Sequence, residues 1–450
     1  MVNTPEEYRK FLETNKFDDL FVHIIFSDDK VHPVVSSPTL LIVFNLKTDA
    51  MFHLSLGHQD APVTVDKETI LSDFKLFTGR IFVWDKKSFL HHFDLPSVLD
   101  VELLLHLNMC KLDKFPTTQA HDYILKNNAG YSNLNNVIPL MKHRECVRLL
   151  IRAIRKLTSG KFTTYVDDAF LRINSEIIEP LSRIERNGIC VDVIKFQESF
   201  NVQVDGGFVY SQYNLNTSTG RPSNRFGGIN YAALNKDDGT RDCFISRHGL
   251  DGTLMMIDYS AFHPRIIGEL THFPIKPNVD FYDYIGKLMF HKPELTGDDV
   301  DLAKKQTFRQ LYGGVEEEYE NIQYFYNLKS FINKNWDKFQ ADGFVETPVF
   351  RKKIHRESMV DANPNKLFSY ILQAVETEIA VPVLTRVFSG LEGKRSVPVL
   401  YTYDSLLFDV YLPEYEFIKE NIIPIMESNN RFPVKCYVGK SYGSMKRLIV

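Results

Sequence analysis

Apolar residues fall into short strand-like runs in the first part of the chain and into helix-periodic stretches after it. "LFVHIIF", "TLLIVFNL", "MFHLSL" and "RIFVW" each read as a strand, and "LDVELLLHLNMC" reads as a helix. Residues up to about 115 therefore predict a small α/β domain. From about 137 to 185 the pattern turns helical. "IPLMKHRECVRLLIRAIRKL" sets Val147, Leu150, Ile151 and Ile154 on one face and Arg144, Arg148, Arg152 and Lys156, four apart, on the other. The basic face is open to two readings, a solvated surface or a stripe that contacts phosphates.

Farther on, the apolar run "TLMMI" ends at Asp258 of "DYSAFHPR". Asp404 lies 146 residues later in "VPVLYTYDSLLFDV", between two β-like runs, as at the tip of a hairpin. Taken alone, each aspartate is a common turn former. Between them, "TGDDVDLAKKQTFRQLYGG" opens a helix with Thr296 and Asp299 as a capping box and closes it at Gly313 and Gly314. Lys304, Phe308 and Tyr312 follow at four-residue steps and share one face. An ammonium beside two rings suits a nucleoside triphosphate, charge against phosphates and rings against the base. The plainer alternative is a core stripe with a snorkelling lysine.

Composition narrows the field. A chain of 450 residues is too long for one core and suggests two or three domains, and 44% hydrophobic with 24% charged residues is globular. Cys110, Cys146, Cys190, Cys243 and Cys436 lie far apart with no CxxC pair, which argues against a zinc ribbon or disulfide framework and for a reducing, cytoplasmic setting. The opening "MVNTPEEYRKFLETNKFDD" is charged, and no apolar run reaches bilayer-spanning length, so the chain is expected to be soluble, unprocessed and free of membrane. With a net charge of −4, a nucleic-acid partner must be held by locally concentrated Lys and Arg.

"TSTGRPSNRFGGIN" (217–230) precedes Asp258, and "GFVETPVFRKKIH" (343–355) precedes Asp404. In this order the motifs resemble those of the DNA polymerase I family, family A. Thr219-Gly220-Arg221 resembles its TGR segment, Asp258-Tyr259-Ser260 through Arg265 its motif A, and Asp404 the carboxylate of its motif C. Lys304, Phe308, Tyr312 and Gly313 resemble the finger-helix motif B. Gly343, Val345 and Thr347 followed by Arg351, Lys352 and Lys353 resemble its glycine-to-arginine run, and Gln373 in "YILQAVETE" resembles its template-side glutamine. "PLSRIERNGICVD" (180–192) and "YVGKSYGSM" are similar to the segments that open and close the polymerase domain, so the likeness runs from about 180 to the end.

The resemblance implies an α+β, right-hand polymerase over residues 176–450, with an antiparallel palm sheet, helical fingers and a reduced thumb. It implies an N-terminal α/β, exonuclease-like (RNase H-like) domain over 1–175. Template-directed extension of a primer 3′-hydroxyl would follow, with two Mg²⁺ ions on Asp258 and Asp404 and Lys304 steadying the triphosphate. Tyr312, Phe308, His263, Arg265 and Tyr259 would form the nucleotide site. Arg221, Thr219, Asn230, Arg241, Arg351, Lys352, Lys353 and Gln373 would contact DNA. Implied partners are primer-template DNA, deoxynucleoside triphosphates and a processivity or replisome protein. The compactness is similar to that of phage-encoded members.

Four departures qualify the likeness. His263 replaces the family's motif A glutamate; an imidazole can fill that space and reach Tyr312, so deoxynucleotide preference is expected to persist. Val300 and Tyr282 replace an arginine and a histidine of the triphosphate site, and Lys305 and Arg309 point away from the Lys304 face, so weaker nucleotide binding is expected. Thr219 follows Asp192 by only 27 residues, where relatives carry a helical thumb, which predicts low processivity relieved by a partner or by the basic helix. In the first domain, Asn45, Lys47 and Phe89 stand where a proofreading exonuclease has carboxylates, so proofreading is expected to be lost, with Asp100 and Asp168 as remnants. Asp85 and His143 read as surface residues. The alternatives are a non-catalytic nucleic-acid-binding relative, a nuclease, or a polymerase with relaxed sugar selectivity or acting on RNA.

Overall fold

The computed structural model describes residues 2, 4–28, 31–63, 65–110, 138–224, 228–236, 238–273, 275–428 and 431–448. The chain forms two compact units, Met1–Arg186 and Asn187–Val450. The break falls at the end of the helix Ile178–Asn187 and not at 175, because Glu179 and Glu185 on that helix pair with buried lysines of the first unit.

In the first unit, α1 (Pro5–Asn15) precedes β1 (Leu20–Phe26), β2 (Pro38–Asn45) and β3 (Met51–Ser55), followed by β4 (Ile81–Val83), α2 (Lys86–Leu90) and β5 (Leu99–Asp100). The sheet order is β3-β2-β1-β4-β5; the first three strands are antiparallel, and β4 and β5 join parallel to β1. β2 is buried along nearly its whole length, which is why its sequence is a continuous apolar run with no alternation. Phe11, Leu20, Val22, Leu41, Val43 and Phe89 pack into one core. α3 (Leu140–Leu157) buries Val147, Leu150, Ile151 and Ile154 and leaves Arg148, Arg152 and Lys156 exposed, and α4 (Ile178–Asn187) closes the unit. His143 is buried, edge-on to His58 at 5.5 Å, and Asp85 is a half-buried cap on α2, so neither is the surface residue expected.

The second unit is organised on an antiparallel sheet. β6 (Gly252–Tyr259) is its central strand, flanked by β8 (Ser405–Tyr411) and β9 (Val434–Gly439), with β7 (Val397–Thr402) and β10 (Lys446–Arg447) at the edges. Helices α5 (Phe262–Leu270), α6 (Phe281–Phe290) and α7 (Gly297–Gly313) follow β6, and α8 (Pro364–Gly390) precedes β7. The capping box of Thr296 and Asp299 starts α7, and Gly314, at φ +101°, ends it. Between Asp192 and Thr219 lie a helix, Val193–Ser199, and the short strands Phe208–Val209 and Tyr213–Asn214.

One sequence reading needs correction here. α8 is long and apolar enough to cross a bilayer by length and composition. Most of it is buried within the protein, with Leu367, Phe368, Ile371, Leu372, Leu384 and Val387 among its interior side chains. Its apolar composition reflects burial on many faces.

Candidate active site

Asp258 sits near the end of β6, paired across the sheet with Ser405 on β8 and Lys435 on β9. Asp404 occupies the two-residue turn between β7 and β8, and the Tyr259 N–H donates to its backbone carbonyl at 2.9 Å. Strand pairing therefore unites two aspartates that lie far apart in sequence. Tyr403, beside Asp404, holds φ +63°, a left-handed conformation that costs a non-glycine residue about 1 kcal/mol and is tolerated where turn geometry matters.

The electrostatics mark the pair. Burial, then the charge of Asp404, pushes Asp258 up to about 7, against the pull of Lys236, Lys435 and Lys304. Protein atoms crowd Asp404 although its side chain faces solvent at the turn; this crowding and the Glu376 carboxylate raise its pKa too. Among the described residues no group of three or more His, Cys, Asp or Glu forms a metal cage. Two carboxylates with open positions match a hard cation that keeps its waters and takes phosphate oxygens, as Mg²⁺ does. Their mutual repulsion is what such a cation would relieve.

From Asp404 a continuous chain of contacts leads to α7. The Arg221 guanidinium lies 3.5 Å from the centre of the Tyr403 ring, and its Nε is 2.7 Å from Glu376 Oε2. Glu376, almost fully buried on α8, also lies 3.1 Å from His263 Nε2. The other ring nitrogen of His263 is hydrogen-bonded to the Tyr312 hydroxyl, and burial followed by the charge of Glu376 pushes that phenol up to about 12. Tyr312 stacks on Phe308 with 3° between planes at 6.1 Å, and Phe308 adjoins Tyr282 at 6.4 Å. Lys304 is exposed on the same helix face, its Nζ 5.8 Å from the Tyr282 ring centre. Arg309 is engaged elsewhere, by Glu316 at 2.6 Å.

Other predicted residues are placed differently. Tyr259 is buried, stacked on Phe262 at 4.3 Å and donating to the Met426 carbonyl. Arg265 is buried and donates to the carbonyls of Ser260, Ile275, Lys276 and Val279, so it braces the loop after α5. Arg241 is likewise buried, bound to the Leu234 carbonyl and lying over Tyr442. Lys352 points inward; its Nζ lies 3.4 Å from the Ser218 carbonyl, and burial lowers its pKa to about 8. It fills the space under Gly220 (φ +73°), where a Cβ would come within 2.6 Å of the ammonium. Arg241 and Lys352 are thus engaged within the loops that the resemblance assigns to DNA contact.

Arg351 and Lys353 are exposed, Arg351 beside Glu346 at 3.5 Å and Lys353 over the Phe344 ring. Thr219 is buried and accepts from the Arg221 N–H at 3.2 Å. Asn230 is exposed before a short helical turn, and Gln373 is half-buried and donates to Ser369. Sequence reasoning missed Glu376, Lys236 and Lys435. The available signal was the pair of acidic residues, Glu376 and Glu378, inside an otherwise apolar helix, because buried carboxylates persist only where something engages them. Glu378 accepts from the Thr347 hydroxyl at 2.6 Å and the Phe350 N–H at 3.1 Å, anchoring the turn that carries Arg351.

No family model and no curated protein sequence matches the chain. Compared with solved structures, the chain has a mixed α/β fold similar to that of a DNA polymerase domain. The similar structure is the POL domain of Pol1 from M. smegmatis, solved in complex with DNA primer-template and dNTP. It superposes with a TM-score of 0.75 at 15% identity, over 98% of this chain and 99% of that one.

Proposed function

We propose that this protein is a template-directed DNA polymerase of the DNA polymerase I type, extending a primer 3′-hydroxyl with deoxynucleoside triphosphates. The observation that carries the reading is the juxtaposition of Asp258, near the end of β6, with Asp404, in the turn that leads into the adjacent strand β8, where burial and a neighbouring carboxylate raise the proton affinity of each. Two Mg²⁺ ions held by these carboxylates would supply activation of the primer hydroxyl and neutralisation of the leaving pyrophosphate.

The chain's own residues do the positioning on which phosphoryl transfer depends. Lys304 offers its ammonium to the triphosphate from an exposed helix face. Phe308 and Tyr312 present parallel rings to the base pair. Glu376 and Arg221 hold His263 against Tyr312, so that imidazole and phenol together wall the sugar's 2′ side and favour deoxynucleotides. The short segment between Asp192 and Thr219 supports a reduced thumb and low processivity.

The strand order of the first unit, three antiparallel strands continued by two parallel ones, supports an exonuclease-like origin. Its polar residues support loss of proofreading. Asn45 is tied to Asn15 and Asp18, Lys47 to Asp18, and both Asp85 and Asp100 serve as helix caps.

Primer extension is the test. The wild type should extend a recessed 3′ end with deoxynucleotides in Mg²⁺, and Asp258→Asn and Asp404→Asn should each lower the single-turnover rate by about 10³-fold. DNA binding without extension by the wild type would instead support a non-catalytic relative.

A further inference from the structure

The basic face of α3 takes no part in the site described above. Arg148, Arg152 and Lys156 are exposed, and none has an ion pair, hydrogen bond or ring partner among the described residues. Four residues of helix rise about 6 Å, so from Arg144 to Lys156 the cations form an evenly spaced row about 18 Å long. The carboxylates around it are taken: Asp49 by Arg155 at 2.8 Å, Glu145 by Lys142 at 3.5 Å, and Asp60 by the Leu140 N–H at 3.1 Å.

The neighbouring element adds no negative charge. On β3, His53 is buried with neither ring nitrogen partnered, and burial with the charges of Arg144 and Arg148 keeps it neutral. Burial and the nearby Arg148 also push Arg144 downward. These cations repel one another, and no carboxylate among the described residues pairs with Arg148, Arg152 or Lys156, an arrangement that an external polyanion would relieve.

The structure favours one class of polyanion. A basic amphipathic helix binds a membrane or a hydrophobic groove through its apolar face, but here Val147, Leu150, Ile151 and Ile154 are already buried in the core. Its regularly spaced outward groups are cations, and its large exposed apolar side chains, Met141 and Leu157, lie at the two ends of the helix. That row of cations matches a sugar-phosphate backbone, which duplex DNA offers at one charge per about 1.7 Å of axis. We infer that the Arg148–Arg152–Lys156 face of α3, in the first unit, is a further, sequence-independent DNA-binding surface built from none of the residues around Asp258. The inference rests on the proposed function only for the identity of its partner, DNA.

The test measures binding of the full-length protein to a fluorescently labelled primer-template across a salt series, by anisotropy. Arg148→Ala, Arg152→Ala and Lys156→Ala combined should weaken binding about 10-fold or more near 0.1 M salt and make the log–log salt slope shallower by about 2–3. Arg148→Lys with Arg152→Lys should keep the wild-type slope, and Lys10→Ala, an exposed cation on α1, should change neither quantity. Extension by complexes already bound should proceed at the wild-type rate in the triple variant. An unchanged slope in the triple variant overturns the inference, as does an equal loss from Lys10→Ala. A wild type that shows the expected slopes but never extends primers would sink the polymerase reading and leave this surface standing.

Discussion

Each unit contains two aspartates close enough to raise a proton affinity, and the pairs differ in what surrounds their oxygens. In the first unit, burial and then Asp85 push Asp100 up to about 7. Yet Asp100 accepts the backbone N–H groups of Leu103 and Lys86, each at 2.8 Å, and Asp85 accepts from Lys87 and Ser88. The adjoining ammoniums are equally engaged. Buried Lys86 reaches Glu179 and the Pro96 and Asn174 carbonyls, and Lys87 reaches Glu185. Although burial opposes it, Lys87 and His91 hold Glu185 down at about 2. In the second unit, no described residue donates a hydrogen bond to the Asp258 carboxylate, and Asp404 has only its own backbone N–H. A raised pKa is therefore common to both pairs, and the unmet oxygens are what distinguish the second.

The sharpest way to break this comparison is to neutralise both pairs and read two quantities. Against the roughly 10³-fold loss of extension expected for Asp258→Asn, Asp100→Asn should leave the extension rate of the folded protein within about 2-fold. It should instead lower stability by about 1–2 kcal/mol, because a helix cap that also binds the Lys86 N–H is weakened. Single-turnover extension and chemical denaturation of the same preparations check both. A catalytic collapse in Asp100→Asn would erase the distinction.

A smaller effect is expected beside the Asp258 and Asp404 pair. Glu376→Gln keeps the shape of the buried side chain but removes the charge that engages Arg221 and His263. Hydrogen bonds to charged groups contribute about 1.5–3 kcal/mol, so incorporation efficiency should fall about 10-fold or more. Because the lost contact positions His263 against Tyr312, the ratio of deoxy- to ribonucleotide incorporation should fall as well. A rate loss with that ratio unchanged would reduce Glu376 to a structural support. The ratio is measured by competing the two nucleotide types at one template position.

What the sequence revealed of this arrangement follows from how local each signal is. Asp258, Asp404 and the α7 face of Lys304, Phe308 and Tyr312 are legible because a strand run ending in a carboxylate, a hairpin tip and a four-residue repeat are local patterns. The capping box of α7 is legible for the same reason. Glu376 is not, since its role depends on α8 meeting α5 and the Arg221 loop, and Lys435 is brought to Asp258 only by strand register. Arg241, Arg265 and Lys352 show what a motif leaves open, since all three are buried. A motif specifies a guanidinium or an ammonium, but only packing determines whether it faces solvent or a ring of carbonyls. The apolar length of α8 hides its role because burial on many faces produces the same composition as a membrane span.

The mildest test separates the pairs through pH and Mg²⁺. An acid whose native pKa lies near 7, as for Asp258, keeps its proton between about pH 4 and 7 when the unfolded chain has lost it. The native state binds more protons across that window, so this group's contribution to stability falls as pH rises through it. Asp100 has the same sign, so wild-type protein without divalent cations should lose stability from both sources. Asp258 is partly exposed, and after screening its share should be about 1–2 kcal/mol, a shift of a few degrees in melting temperature. Asp258→Asn should remove that share and leave the slope due to Asp100. Mg²⁺ should restore stability above pH 7 in the wild type by binding the native carboxylates, and should fail to do so in Asp258→Asn. Melting curves at several pH values, with and without Mg²⁺, resolve these terms. If Mg²⁺ stabilises wild type and Asp258→Asn equally, the unmet oxygens in the second unit are not where the cation binds.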